Sequence, residues 1–527
     1  MPRSLFPGAA VLRRTVALLL LLAAVRAPAA DPFPGLDAKW KHARSEHFEV
    51  YGRASEAYVR EILRNLETMR AAFLTTLELT ADDSNEVTVY VFRSRGDMRA
   101  YASPYFASNE NLIGEYRPGF DRDVILLDAD ADAETGYWII YSDLVKNLLH
   151  GAGSRGPSWL FQGLAMLWGN FDARRGYSIA GRPDRLREQL VNEHPGMDVE
   201  ALFAVREGSA PLPDLKATRE KAQDTANVFH AKSWVLLHYW YFGQKDVPVT
   251  DVNRFVRFML LSRAAEDPAR LRAEFERSFK VDYAEMNRRV TRYMRSGRFN
   301  SQHIDNARVP APASFAVRTV DAVEMRERLA ELRLRTRRDD LAKFVLLDAL
   351  RGPRAARAAE ALGTLAAEEQ DDAQAQDYWR RAIESGTTNL GVVELTLRLE
   401  FSRRFRQLDY YYRLPAEKTD ELRALIARAR ARAPESAEFL EMLAWVESAA
   451  PEPDVRNVNL VQAKIPPERL RASSLLAIAL VRARLGDRES AIRILTMIDE
   501  LNPRPEEKRF AQSVRRILKD PALAEAE

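Results

Sequence analysis

The 527-residue chain contains no cysteine. Disulfides, thiolate zinc sites, cysteine nucleophiles and lipoprotein attachment are therefore excluded. Neither sign of charge is in excess: 79 Lys and Arg stand against 76 Asp and Glu, a formal net charge of +3. A balance so near neutral gives no reason to expect nucleic acid or an anionic membrane surface as a partner. Long apolar runs are scarce. The clearest, Val16 to Val25, is shorter than the ~20 residues a bilayer-spanning helix needs. No Gly-rich phosphate loop occurs, and no Gly-x-Ser-x-Gly elbow around a nucleophilic serine.

What is present first is a three-part N-terminus. Arg3, Arg13 and Arg14 precede the apolar run, and Ala27-Pro28-Ala29 offers small residues at a cleavage site. This order predicts a secretory signal peptide over residues 1–29 and an exported chain, periplasmic or secreted, with no membrane span after cleavage. An uncleaved anchor is the alternative. Loss of that segment removes four arginines and no acids, which takes the formal charge from +3 to about −1. An exported chain without disulfides has to rely on its core, and 46% hydrophobic residues suffice for one at this length. That combination suits a bacterial envelope protein.

The next stretch alternates strands and helices. His47 to Tyr51 and Val87 to Phe92 read as strands, Leu112 to Tyr116 and Val124 to Leu127 as shorter ones. Ala54 to about Leu79 carries Tyr58, Ile62, Leu66 and Met69 at helical spacing. A helix over Gly136 to His150, a Gly-rich turn and a second helix from Ser158 to Trp168 follow. Residues 185–300 read as mostly helical. Pro310 and Pro312 then break the pattern, which predicts a linker over 301–318. Beyond it the chain reads as helix to its end.

Within that helical half, Gly363, Ala375, Trp379 and Ala382 repeat the offsets of small and large packing positions in paired helices. Ala479, Gly486, Ala491, Leu495, Ile498 and Pro503 do so again, and a partial unit ends at Pro434. This part resembles the tetratricopeptide repeats. The resemblance implies an all-α helical-repeat domain over 319–527 whose stacked pairs bind a protein or peptide partner, or serve only as scaffold.

The helix pair at 136–168 carries a second resemblance. Pro157-Ser158-Trp159-Leu160-Phe161-Gln162-Gly163-Leu164-Ala165 is similar to the segment Pro-x-Trp-Leu-x-Glu-Gly-Leu-Ala of peptidase MA-like zinc peptidases, the gluzincin branch. Phe48-Glu49-Val50-Tyr51-Gly52, Val89 to Phe92 and Phe229-His230-Ala231-Lys232-Ser233-Trp234 resemble further segments of that family. The match spans about residues 40 to 297 and implies an α+β zincin-like domain over 31–300. In such peptidases an H-E-x-x-H helix supplies two His ligands and a general base, and a Glu on the next helix supplies the third ligand. Here Ser142 and Lys146 occupy the His positions, Asp143 that of the base and Gln162 that of the third ligand.

An ammonium group has no lone pair to offer and repels a dication, and Ser and Gln oxygens are weak neutral donors. The resemblance therefore implies a former site without metal, cofactor or catalytic residue, a pseudo-peptidase. Lys146 is expected to stand in for the lost zinc, with Asp143 and Gln162 as acceptors. A solvated Asp–Lys pair one helical turn apart is the plainer alternative. His150, Trp159 and His230 are candidates to line the cleft. A relocated metal site using His150, His230 and Asp143 would make the chain an active peptidase instead, and a purely structural envelope protein is the remaining alternative. Asp128, Asp130 and Asp132 alternate like the start of a calcium loop but lack its glycine and closing glutamate. His238 reads as a packed or surface histidine among Trp234, Tyr239 and Trp240.

Overall fold

The computed structural model describes residues 33–519 apart from 37, 80–84, 108–113, 131–132, 152–156, 175, 184, 195, 206–218, 244–257, 259–267, 307–314, 338, 408–412, 435, 466–470 and 501–504. The expected signal peptide lies outside these residues. The chain is mainly helical, 67%, with its sheet near the N-terminus.

A six-stranded sheet has the order β4-β5-β3-β2-β1-β9. Its strands are β1 Lys41–Arg44, β2 Phe48–Gly52, β3 Glu86–Phe92, β4 Gly114–Arg117, β5 Arg122–Asp128 and β9 Val317–Thr319. The three central strands β2, β3 and β5 run parallel, and β4 lies antiparallel at one edge. Strands β6 Asp172–Ala173, β7 Tyr177–Ala180 and β8 Gln302–Asp305 form a small second sheet.

Side chains on a strand alternate between faces. Val50, Val89 and Ile125 point to the front of the large sheet, into a core shared with helices α1 Glu56–Leu77, α2 Ala133–Gly151, α3 Ser158–Gly169, α4 Arg219–Phe242 and α5 Tyr283–Ser296. Tyr51, Tyr90 and Leu126 point to the back, where they meet α6 Ala322–Arg337 and α8 Ala355–Glu368. Helix α7 Asp340–Ala349 connects these two, and α9 Asp372–Glu384 pairs with α8. The sheet is thus covered on both faces, which is why β3 and β5 are buried along almost their whole length. Farther along, α10 Ala437–Ala449, α11 Ala472–Arg484, α12 Arg488–Glu500 and α13 Pro505–Lys519 help build a third core.

Two sequence expectations change. The stretch 301–318 contains Gln302–Asp305, paired with β7, and most of Val317–Thr319, paired with β1. Neither segment has an apolar pattern of its own. Each is ordered by backbone hydrogen bonds to a waiting edge strand. Nor does the helical half stand apart. Its first helices form the back layer of the sheet.

The paired-helix offsets correspond to helical hairpins. Gly363 on α8 lies against the Trp379 indole of α9, and a methyl group there would collide with the ring. Ala375 and Ala382 flank Trp379 on the buried side of α9. Ala479 lies on α11 and Ala491, Leu495 and Ile498 on α12, all buried. Pro503 lies outside the described residues.

Candidate functional site

Helices α2 and α3 lie side by side on the front of the sheet, and α3 in turn packs on α4. Gly163 makes the second contact close. A Cβ there would stand 2.6 Å from Leu237 Cδ1 and 2.8 Å from the Ser233 carbonyl oxygen. The motif glycine is thus required by helix packing. Leu160, Leu164 and Ala165 are buried with it.

Lys146 Nζ donates to Asp143 Oδ1 at 2.9 Å. Their side chains are 30% and 28% exposed, so the pair is half open to water. Ser142 is buried, and among the described residues its Oγ finds no hydrogen-bond partner. It faces Gly169, where any side chain would collide with it. Gln162 has its Oε1 buried without a hydrogen-bond partner among the described residues. The structure therefore joins Lys146 with Asp143 and leaves Ser142 and Gln162 out of that pair.

The cleft candidates divide. Trp159, expected to line the cleft, is 1% exposed and belongs to the core instead. Its ring lies 4.7 Å from Phe203, 5.9 Å from Trp240 and 6.4 Å from Phe258, because an indole gains more by filling an aromatic cluster than by facing water. His230 is half-buried with its ring 5.9 Å from that of Phe229. The His150 side chain lies outside the described residues. His238 is fully buried; Nε2 donates to the Gly181 carbonyl at 3.0 Å, which leaves Nδ1 to accept from Tyr293 Oη at 2.8 Å. Burial pushes its pKa down to about 4, so this histidine is a neutral structural bridge.

Sequence reading missed a carboxylate beside the Asp143–Lys146 pair. Asp123 on β5 points to the front face and is 1% exposed. It accepts from Tyr116 Oη of β4 at 2.5 Å, from Asn147 Nδ2 of α2, and from the Gly119 amide at 3.1 Å. Burial raises its pKa to about 6 despite these donors. An aspartate inside the run Asp123-Val124-Ile125-Leu126-Leu127 was the available signal.

The back of the sheet holds a second charged group. Arg122 reaches Glu360 Oε2 at 2.9 Å and Glu86 Oε2 at 3.1 Å. Arg335 holds Asp121 with two bonds of 2.9 Å, and Thr364 donates to the same carboxylate. Arg357 bridges Glu49 at 2.5 Å and Glu331 at 2.8 Å. Burial alone would raise these acids. The guanidinium of Arg357 instead holds Glu49 and Glu331 well below the usual carboxylate range, and that of Arg335 lowers Asp121. Every strand residue here faces α6 or α8, so the group joins the two halves of the chain.

The donor set at Ser142, Lys146 and Gln162 does not fit a zinc ion, since its one strongly polar group is a cation already paired to Asp143. Among the described residues, no group of three or more His, Asp or Glu side chains is arranged to hold a metal. No described helix is long and apolar enough to cross a membrane.

No family model matches the chain, and no curated protein matches it by sequence. Among solved structures it is similar to the crystal structure of yeast Tom70, at 13% identity over 64% of this chain and 74% of that one. The TM-score is 0.17, too low for this likeness to carry an argument.

Proposed function

We propose that the chain is an exported, catalytically inactive relative of the gluzincin zinc peptidases that binds an extended polypeptide segment. In this reading residues 31–300 form the peptidase-like part and residues 319–527 a tetratricopeptide-like part that braces it and recruits a protein partner. The observation that carries the reading is the Asp143–Lys146 ion pair at two positions where the resemblance calls for a general base and a metal ligand. An ammonium there carries a positive charge without activating water. Beside it, β4 is the outermost strand of its sheet, and α2 packs against it. An edge strand offers backbone donors and acceptors to an added strand.

The test is direct. Purified protein is assayed for bound zinc and for cleavage of an unfolded protein, with and without chelator, and for binding of an unstructured labelled peptide by anisotropy. Sub-stoichiometric zinc, no chelator-sensitive cleavage and peptide binding weakened several-fold by Lys146→Ala are expected. Stoichiometric zinc with chelator-sensitive cleavage overturns the reading, as does peptide binding indifferent to Lys146.

A further inference from the structure

Helix α7 shows water a face unlike that of its neighbour α9. Phe344 is 70% exposed, Leu341 44% and Leu347 38%. On α9 the outward positions are Asp377, Arg380, Arg381 and Glu384. The outer seam of α7 reads Asp340, Phe344, Leu347 and Arg351, spaced four, three and four residues apart. That is the spacing of a coiled-coil seam, with two apolar positions between an acid and a base. Arg351 lies two residues past the end of the helix, and its amide still bonds back to the Asp348 carbonyl at 3.1 Å. Among the described residues its side chain has a loose 3.6 Å contact with Asp348, both being largely exposed, and such a contact constrains it little.

We propose that this face is the contact between two copies of the chain, which pair α7 antiparallel across a two-fold axis. The seam is complementary to itself in that arrangement alone. Phe344 packs on Leu347 of the second copy, and Asp340 meets Arg351 of the second copy. Both contacts occur twice, as an isologous interface requires. A parallel pairing would set Asp340 against Asp340 and Arg351 against Arg351. The helix face is small beside the ~800 Å² per partner of a standard interface, so the dimer is weak and concentration-dependent.

Sedimentation equilibrium of the purified protein from about 1 to about 200 µM, the range in which a small interface binds, decides the point. The average mass is expected to rise from that of one chain towards that of two. Phe344→Asp should hold it at one chain throughout. Asp340→Arg should weaken association at least tenfold, and Asp340→Arg combined with Arg351→Asp should restore it. Near-ultraviolet dichroism checks that each variant is folded. The charge exchange decides the matter even if Phe344→Asp is not. A protein that stays single at the highest concentration overturns the proposal. So does a dimer that ignores Phe344→Asp, or an exchange that fails to recover association.

Discussion

Two charged sites flank one sheet, and they differ chiefly in how water reaches them. In front, Lys146 and Asp143 share a single 2.9 Å contact with more than a quarter of each side chain exposed. Behind, Arg122 and Glu331 are each 2% exposed inside a group that ties β2, β3 and β5 to α6 and α8. Removing ions from water costs several kcal/mol each, and only multiple well-placed partners offset it. The rear group has those partners and is committed to holding two halves together. The front pair has one and stays half open to water. Both places pair a cation with a carboxylate, and they differ in how far water is excluded.

The sharpest way to break this contrast is Arg122→Ala. It strands Glu86 and Glu360 without their nearest buried cation, and a loss of about 3–5 kcal/mol in denaturant unfolding is expected. A loss under about 1 kcal/mol would mean the rear group is no more than a surface network.

Acid should separate the two faces next. At the rear, Glu49, Glu331 and Asp121 have folded pKa values below their unfolded ones. Their contribution is therefore present above the usual carboxylate range and is lost as pH falls through and below it. Asp123 in front has the opposite sign, raised to about 6. The folded state holds its proton longer than the unfolded state, so stability falls by at most about 3 kcal/mol as pH rises from about 4 to about 6, and is level above that. Thermal melting of the protein and of Asp123→Asn across pH 4–7 checks this; only the unaltered protein should show the falling limb.

The smallest expected effect is the front pair itself. Lys146→Ala should change unfolding free energy by no more than about 0.5 kcal/mol, the value of an exposed pair one turn apart. A cost of several kcal/mol would show that Lys146 is structural and sharpen the site in a different direction.

Much of the architecture was legible in the residues. The strands at 87–92 and 124–127 show as apolar runs, and the helix pair around the Gly-rich turn shows by its period and punctuation. Gly363 and Trp379 marked a close helix hairpin because one is small where the other is large. The candidate site was legible as positions but not as contacts. Asp143 and Lys146 are three residues apart on one helix, so their pairing follows from helical geometry. Gln162 comes from another helix, and its failure to join them depends on an interhelical packing that spacing does not encode.

The back of the sheet was hidden for a different reason. Glu49 and Arg122 alternate with apolar neighbours, a pattern that also describes a strand with one face in water. Their partners Glu331, Arg357 and Glu360 lie more than 200 residues away from either, in a segment that reads as surface helix. Trp159 was misassigned to a cleft because an indole can line a pocket or fill a core, and only its neighbours decide.

The sequence by itself determined the missing thiol chemistry, the strand and helix periods, the close glycine contacts and the placing of Ser142, Asp143 and Lys146 within one turn of a helix. These are properties of residue types and of short-range spacing. Tertiary structure alone decided that the first helices of the helical half lie on the sheet, that Arg122, Arg335 and Arg357 are held between them, and that Asp143 and Lys146 remain in reach of water. Burial is set by which distant segment arrives to cover a face, and that arrival depends on the packing of the whole chain.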